Sequence, residues 1–496
     1  VIRSFERSSI LVGAMVAGAP ETVRKTAKAS AWPGAAGAPD LAFAGLAAQA
    51  GLLRSREVSA RELVELSLAR IEATQPTLNA FRVICAEPAL AAADQADARL
   101  RGGDGGPDAP LLGVPVAIKD DVDLAGHSTP FGCGGEVAAC RMDAELVRRL
   151  QRAGAIIVGK TQSPEVGQWH FTESPAFGAT RNPWHEEHTP GGSSGGAAAA
   201  VAAGLVAGAI GSDGAGSVRI PAAWCGLVGL KPQRGRISTW PDREAFHGLT
   251  CFGPMARSAA DAALLLEAVA GAVPADLHQP QPSIEPYPAA AERAPGRLRI
   301  AISLGVPFGI HDRLCDEHRA ATLEFAGRLE ALGHEVDAVE LDYGLVAPAL
   351  VPRGMAGVRD WIRDHEIDAA ALEPRSRVHA RLGAALAGLP LRAARAAEPR
   401  LRRRLGRIFD THDLVLTPTT AKPPPRIGAL DGRGYWVTGS TASETCPYAF
   451  PWNVTGWPAI SVPAGLTAEG LPIGAQLLAH EGQESLLLAV AAQLEA

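Results

Sequence analysis

Gly191-Gly192-Ser193-Ser194-Gly195-Gly196 and Gly211-Ser212-Asp213-Gly214-Ala215-Gly216-Ser217 are two serine blocks set in glycine, with an Ala/Val run over 197–206 after the first. Glycine permits positive φ and a close approach of backbone to ligand. A hydroxyl beside bare amide N–H groups is what a nucleophile and an oxyanion hole require. The Ala/Val run is bland enough for a helix buried on all sides, so the first block sits between the Pro190 turn and a core helix. Neither block contains a histidine, so a base for either serine must come from elsewhere in the chain.

Three other readings compete for these blocks. Gly-Ser strings serve as linkers or turns. A glycine turn before a helix also suits phosphate, although the lysine and spacing of a P-loop are absent. Gly191 to Gly195 further fits the G-x-S-x-G nucleophile elbow, which would make Ser193 the nucleophile of an α/β-hydrolase esterase with a downstream Asp and His. Nine histidines follow Ser193, among them His247, His412 and His480, and nothing in the sequence marks one of them.

Outward from the blocks, helix and strand patterns alternate. Ser59 with Glu62 forms a capping box ahead of an apolar stripe through Leu63, Leu66 and Ile71. Helices are expected over 89–100 and 145–152, and 114–118 and 155–158 read as short buried strands. Ser258 with Asp261 caps a helix to about Val269, and 272–296 reads as a crossing loop. A strand-helix-strand unit is expected from Arg299 to about Glu340, helix over 370–407, a strand over 413–418, and paired strands over 460–478. This predicts an α/β class: a single large domain over 41–496, with a mixed β-sheet core covered by helices. Residues 1–40, rich in Ala, Gly and Pro, read as a flexible N-terminal extension rather than a secretory leader.

The 496 residues are 47% hydrophobic and 20% charged, with a formal net charge of -6. The acidic balance argues against a nucleic-acid surface. No apolar run reaches the roughly 18 residues of a membrane span. Seven scattered cysteines without a C-x-x-C read as free thiols, and with them the expected location is cytoplasmic.

Lys119 closes the 114–118 strand and is followed by Asp120 and Asp121. It reads as a surface lysine paired with one of them, or as a desolvated lysine whose neutral amine serves as a base.

Taken together, Gly113 through Asp120, Gly178 through Trp184, Pro190 through Gly196, Gly211 through Pro221, Gly226 through Pro232, Gly253 through Ser258 and Asn453 through Ala459 resemble the amidase signature family over about residues 41–490. The resemblance implies a Ser-cisSer-Lys triad: Ser217 as nucleophile, Ser193 as the serine on a cis peptide bond, and Lys119 as base. It implies an oxyanion hole from the amides of Gly214, Ala215, Gly216 and Ser217, with Ser194, Asp213 and Arg219 in support. The expected reaction is hydrolysis of a linear carboxamide through an acyl-enzyme, without cofactor or metal. The expected partner is a small-molecule amide, not nucleic acid or membrane, with a homodimer left open. The family's commoner string is Asp-Thr-Gly-Gly-Ser; here Gly214 and Ala215 replace its second and third residues, and alanine would be strained at 215 if that position needed positive φ. The rival within the resemblance is the amidase-type subunit of a glutamine-dependent tRNA amidotransferase.

Two further patterns carry less. His185-Glu186-Glu187-His188 lies between Pro183 and Pro190 and reads as a solvated loop rather than a metal site. Arg400, Arg402, Arg403 and Arg404 read as a solvated helix face. Trp169, Phe171, Tyr435, Trp436 and Trp452 are candidate walls of an acyl pocket, each also compatible with plain core.

Overall fold

The computed structural model describes residues 40–307, 309–311 and 313–496; the expected extension over 1–40 lies, but for residue 40, outside them. Thirteen strands are described: β1 (Phe81–Ile84), β2 (Pro115–Lys119), β3 (Ile156–Thr161), β4 (Glu173–Ser174), β5 (Gly178–Ala179), β6 (Gly208–Asp213), β7 (Val228–Lys231), β8 (Cys251–Ala256), β9 (Arg299–Ile302), β10 (Glu335–Ala338), β11 (Leu414–Pro418), β12 (Ala459–Leu466) and β13 (Pro472–Leu478). All but the β4–β5 pair join one mixed sheet in the order β1-β3-β2-β6-β8-β7-β12-β13-β11-β9-β10.

The pairing explains the sequence pattern. β3, β2 and β6 run parallel, as do β11, β9 and β10, and antiparallel strands join the two groups. β2, β3, β6, β7, β8, β11 and β13 are buried along their whole length, because helices cover both faces. Such strands read as continuous apolar runs, not as alternation. The fold is thus a single domain with a large mixed sheet clad in helices.

Local signals held where their chemistry is local. Ser59 accepts from the Glu62 amide while the Glu62 side chain caps the Ser59 amide, opening helix Ala60–Leu78. Ser258 accepts from the Asp261 amide at the start of helix Ala259–Val269. The Ala/Val run forms helix Gly195–Ala202, every residue buried except Ala202, and ends four residues earlier than expected at a turn into β6. The 272–296 loop contains a short helix, Tyr287–Glu292, and the 370–407 segment is two helices, Pro374–Leu386 and Leu389–Gly406, separated at Gly388. Among the described residues no helix is long and apolar enough to cross a membrane.

The sheet positions the chemistry. β2 and β6 are parallel neighbours, so their C-terminal ends, Lys119 and Asp213, open toward the same side. Both serine blocks lie there, one entering helix Gly195–Ala202 and the other joining β6 to helix Arg219–Cys225.

Candidate active site

Lys119 is fully buried at the end of β2. Its Nζ lies 2.6 Å from Ser193 Oγ and 2.7 Å from Ser212 Oγ, with Asp121 Oδ2 at 3.6 Å and the Phe131 ring centroid at 5.0 Å. Burial pushes its pKa down against the opposing pull of Asp121 and Asp213. This is the desolvated lysine of the two sequence readings. Asp120 instead faces the Arg82 guanidinium at 2.5 Å and Lys160 at 3.6 Å.

The hydroxyl orientations follow from who can accept. Ser212 Oγ donates its proton to Asp121 Oδ2, since the carboxylate can only accept. Toward Lys119, Ser212 can then only accept. A neutral Lys119 amine with one N–H on Ser212 has its lone pair left for the hydroxyl proton of Ser193.

The Gly192–Ser193 peptide is cis. Glycine is required before it by close approach: a Cβ on Gly192 would stand 2.5 Å from the Phe171 carbonyl oxygen and 2.7 Å from that of Trp169. Ser194 ties the two blocks together. Its amide donates to the Ser217 carbonyl (3.1 Å), its Oγ donates to the Ser212 carbonyl (3.1 Å), and the Ser212 amide donates back to that Oγ (3.2 Å).

The loop after β6 is folded around the Asp213 carboxylate. Oδ1 accepts from the Gly216 amide (2.7 Å), and Oδ2 from the Val218 and Arg219 amides (3.2 and 3.4 Å). Arg219 forks onto both oxygens at 2.9 and 3.0 Å, with neither side chain exposed. Its remaining donors reach Asn453 Oδ1 (2.7 Å), the Ala449 carbonyl (2.9 Å) and Gln476 Oε1 (3.0 Å). Asn453 Nδ2 returns to the Asp213 carbonyl (2.7 Å) and carboxylate (2.9 Å). Burial alone would push the Asp213 carboxyl up, but the charge and hydrogen bonds of Arg219, with Lys231 and Asn453, hold it well below the usual carboxylate range.

Positive φ in this loop falls on Gly216, at 120°, and not on Ala215, so the alanine is unstrained. Gly214 and Ser217 are half-buried and Ala215 is exposed, while the flanking residues are buried. Among the described residues the amides of Gly214, Ala215 and Ser217 meet no acceptor, whereas that of Gly216 is given to Asp213. The loop therefore presents one hydroxyl and three amides without a partner among the described residues.

The structure thus gathers Lys119, Ser193, Ser194, Asp213, Gly214, Ala215, Gly216, Ser217 and Arg219 beyond the C-terminal ends of the interior strands β2 and β6. The sequence reading assigned no role to Ser212, Phe131, Asn453 or Gln476, and named Asp121 only as one of two possible partners of a surface Lys119. Ser212, Asp121 and Asn453 stand inside or beside the motif strings, whereas Gln476 is brought in by β13 and had no local signal. No histidine hydrogen-bonds to Ser193 or Ser217 among the described residues, nor do any three His, Cys, Asp or Glu there form a group able to hold a metal. In the His185–His188 turn the two rings meet edge to face, and His188 Nδ1 donates to the Pro424 carbonyl at 2.7 Å. Arg402 and Arg404 pair with Glu481 and Asp342 as a solvated face would. Trp452 packs with Trp457 and Phe409 in a separate core, leaving Trp169, Phe171, Tyr435 and Trp436 as the candidate walls that come together.

Comparison with known proteins matches residues 62–488 to the family model described as Amidase. A Mycobacterium tuberculosis protein named "Putative amidase AmiA2" is 52% identical over 447 residues, covering 90% of this chain and 91% of that protein. The solved structure of a 6-aminohexanoate cyclic dimer hydrolase complexed with substrate superposes with a TM-score of 0.85 at 34% identity, covering 92% of this chain and 97% of that one. A glutamyl-tRNA(Gln) amidotransferase subunit from Prochlorococcus marinus is 36% identical over 474 residues, covering 89% of this chain and 95% of that protein.

Proposed function

Because the chain belongs to the amidase family, in which it is an amide-hydrolysing enzyme, we propose that it cleaves linear carboxamides through a Ser217 acyl-enzyme, with Ser193 and Lys119 as its proton relay. The observation that carries this reading is the fully buried Lys119 amine 2.6 Å from Ser193 Oγ, beside a loop that leaves Ser217 and three amides open.

Neutral Lys119 takes the Ser193 proton while Ser193 takes that of Ser217, whose oxygen attacks the amide carbonyl. The carbonyl oxygen becomes an oxyanion held by the amides of Gly214, Ala215 and Ser217. Each donor in such a hole is worth about 100- to 1000-fold in rate. The relay then runs backward, protonating the leaving nitrogen as the C–N bond breaks. Water, deprotonated through the same relay, attacks the ester and releases the carboxylate. Asp213 and Arg219 hold the loop in shape and stay charged throughout.

The test is a panel of linear aliphatic and aryl amides, a cyclic amide and glutamine, with mass spectrometry of the quenched protein. Turnover of linear amides with an acyl adduct on Ser217, and none in Ser217→Ala, is the expected result. An adduct on Ser193, or full activity in Ser217→Ala, sinks the mechanism. Glutamine hydrolysis that begins only once a partner protein is supplied points instead to an amidotransferase role. The net charge of -6 counts against direct contact of this chain with tRNA.

A further inference from the structure

The segment Gly167 to Phe171 runs directly beside the Ser193 block. A Cβ on Gly167 would stand 3.1 Å from Ser193 Oγ, and the carbonyls of Trp169 and Phe171 flank Gly192. Helix Tyr435–Thr445 starts at Tyr435, and the residues that reach the Ser217 loop follow its C-terminal end: Cys446 packs on Ile220 and Trp224, and a Cβ on Gly216 would stand 2.6 Å from that of Ala449. Gly167 therefore abuts Ser193, while Tyr435 opens the helix whose far end leads to the Ser217 loop. Where the two segments meet, Tyr435 lies 6.1 Å from Trp169 between ring centroids.

A third ring completes the frame. His379, on helix Pro374–Leu386, meets Tyr435 edge to face at 5.1 Å and tilts against Trp169 at 6.2 Å. Its tautomer is set by its neighbour. Gln168 Nε2 donates to Ser376 Oγ (2.5 Å), which turns Gln168 Oε1 toward His379 Nδ1. That oxygen can only accept, so Nδ1 carries the proton and Nε2 is a bare acceptor, with no hydrogen-bond partner among the described residues. Burial pushes the His379 pKa down to about 4, so the ring is neutral near pH 7. Gln168, His379 and Tyr435 are half-buried, as Ser217 is, while Trp169 is buried beneath them.

We propose that Tyr435, His379 and Trp169 form the substrate-selecting subsite of the amide-cleaving site, taking a planar aromatic group whose edge carries a hydrogen-bond donor for His379 Nε2. The chemistry fits each part. Aromatic rings pack on aromatic edges and faces better than aliphatic rings of equal size do. A half-buried acceptor without a partner rewards a ligand that supplies an N–H or O–H. The inference extends the function proposed above, since it assigns the subsite to the site of Ser193 and Ser217.

The test is direct binding, separated from turnover by working in full-length Ser217→Ala. Calorimetry with 4-aminobenzamide, benzamide and cyclohexanecarboxamide reads donor and ring in turn. The expected order is 4-aminobenzamide tightest, by about 3- to 10-fold over benzamide, which is the yield of one hydrogen bond. Benzamide should exceed cyclohexanecarboxamide by about 2- to 10-fold. Adding His379→Phe, which keeps a ring and removes the acceptor, should bring 4-aminobenzamide down to benzamide while benzamide itself still binds, so the control for folding is internal. Three equal affinities, no binding at all, or a 4-amino advantage that survives His379→Phe overturns the proposal. Selective binding without turnover in the wild-type protein leaves the subsite standing and removes the amidase mechanism instead.

Discussion

Lys119 and Lys160 sit on neighbouring parallel strands, both fully buried and both pushed down in pKa by that burial, yet only one of them faces serines. The register makes the difference. Ile118 pairs with Lys160 and Lys119 with Thr161, so the lysines are offset by one residue and project to opposite faces of the sheet. The two aspartates after β2 divide in the same way, Asp121 toward Lys119 and Asp120 toward Lys160. Lys160 donates to the Ser128 carbonyl (2.9 Å) and Thr129 Oγ1 (2.8 Å), with the Asp120 carboxylate at 3.6 Å. The carbonyl and the carboxylate can only accept, and the one hydroxyl, Thr129 Oγ1, stands 3.2 Å from Cys140 Sγ, with no second serine beyond it to activate among the described residues. Lys119 faces two hydroxyls, one of which has its proton free to give. Burial lowers a lysine's pKa; the partners decide whether the neutral amine has work.

The largest effect should separate these two lysines. Lys119→Met is expected to lower kcat by about 10,000-fold or more, as losing one member of a catalytic unit does. Adding Ser193→Ala to it should cost little further, because a relay missing one part is already broken. Lys160→Met should keep the parent's kcat per folded molecule and lower the melting temperature, since it strips one of the cations from buried Asp120. Steady-state kinetics alongside thermal melts reads both. A Lys160→Met protein that melts normally but is as inactive as Lys119→Met would break the comparison.

A second contrast is between the two sides of Ser217. On the Lys119 side the amine meets hydroxyls, which the proposed relay would use to move protons; on the Asp213–Arg219 side the carboxylate meets its guanidinium. Asp213→Asn keeps the shape but leaves the Arg219 guanidinium buried without its counter-ion, a loss of about 3 to 5 kcal/mol. Denaturant unfolding should show that loss directly. The Asp213 carboxyl is held below its unfolded value, so its stabilising effect is complete above the unfolded pKa and fades as pH falls toward the folded one. The gap between parent and variant should therefore narrow in acid; a gap constant from neutral to strongly acidic pH would remove Arg219 pairing as its source.

Much of this site was legible because its parts lie in short strings with distinctive composition. Glycines at 192 and 216 are needed by a close approach and a positive φ that no other residue meets cheaply, and both stood out in the sequence. Lys119 stood out as a cation closing an apolar strand. Its partners were harder. Ser212 lies within a motif string, but its role depends on β6 pairing with β2, a contact across 93 residues. Gln476 reaches Arg219 from 257 residues away, and nothing in the pattern of β13 distinguishes it from a core position. The helices Pro374–Leu386 and Tyr435–Thr445, which carry His379 and Tyr435 of the proposed subsite, had no motif at all. Their sequences answer to packing, not to a special backbone geometry that a string could reveal.

The smallest expected effect concerns Ser212, and it tests the orientation argument at its weakest joint. Ser212→Ala removes the hydroxyl that stands between Lys119 and Asp121, accepting from one and donating to the other. The proposed relay through Ser193 would stay intact, so the loss in kcat should be modest, about 10-fold, in keeping with one hydrogen bond to a charged group. The pH profile is the sharper reading. In the proposed relay Lys119 is the base and must be neutral, so activity should rise as pH rises through its pKa. Without Ser212 the Asp121 carboxylate loses its bound proton donor and faces Lys119 directly, which favours the ammonium and raises that pKa. The acid limb of kcat/KM should therefore move to higher pH in Ser212→Ala, and Ser212→Thr, which restores a hydroxyl, should move it back. A limb that stays in place while kcat falls would mean that Ser212 only packs, and that something else keeps Lys119 and Asp121 apart.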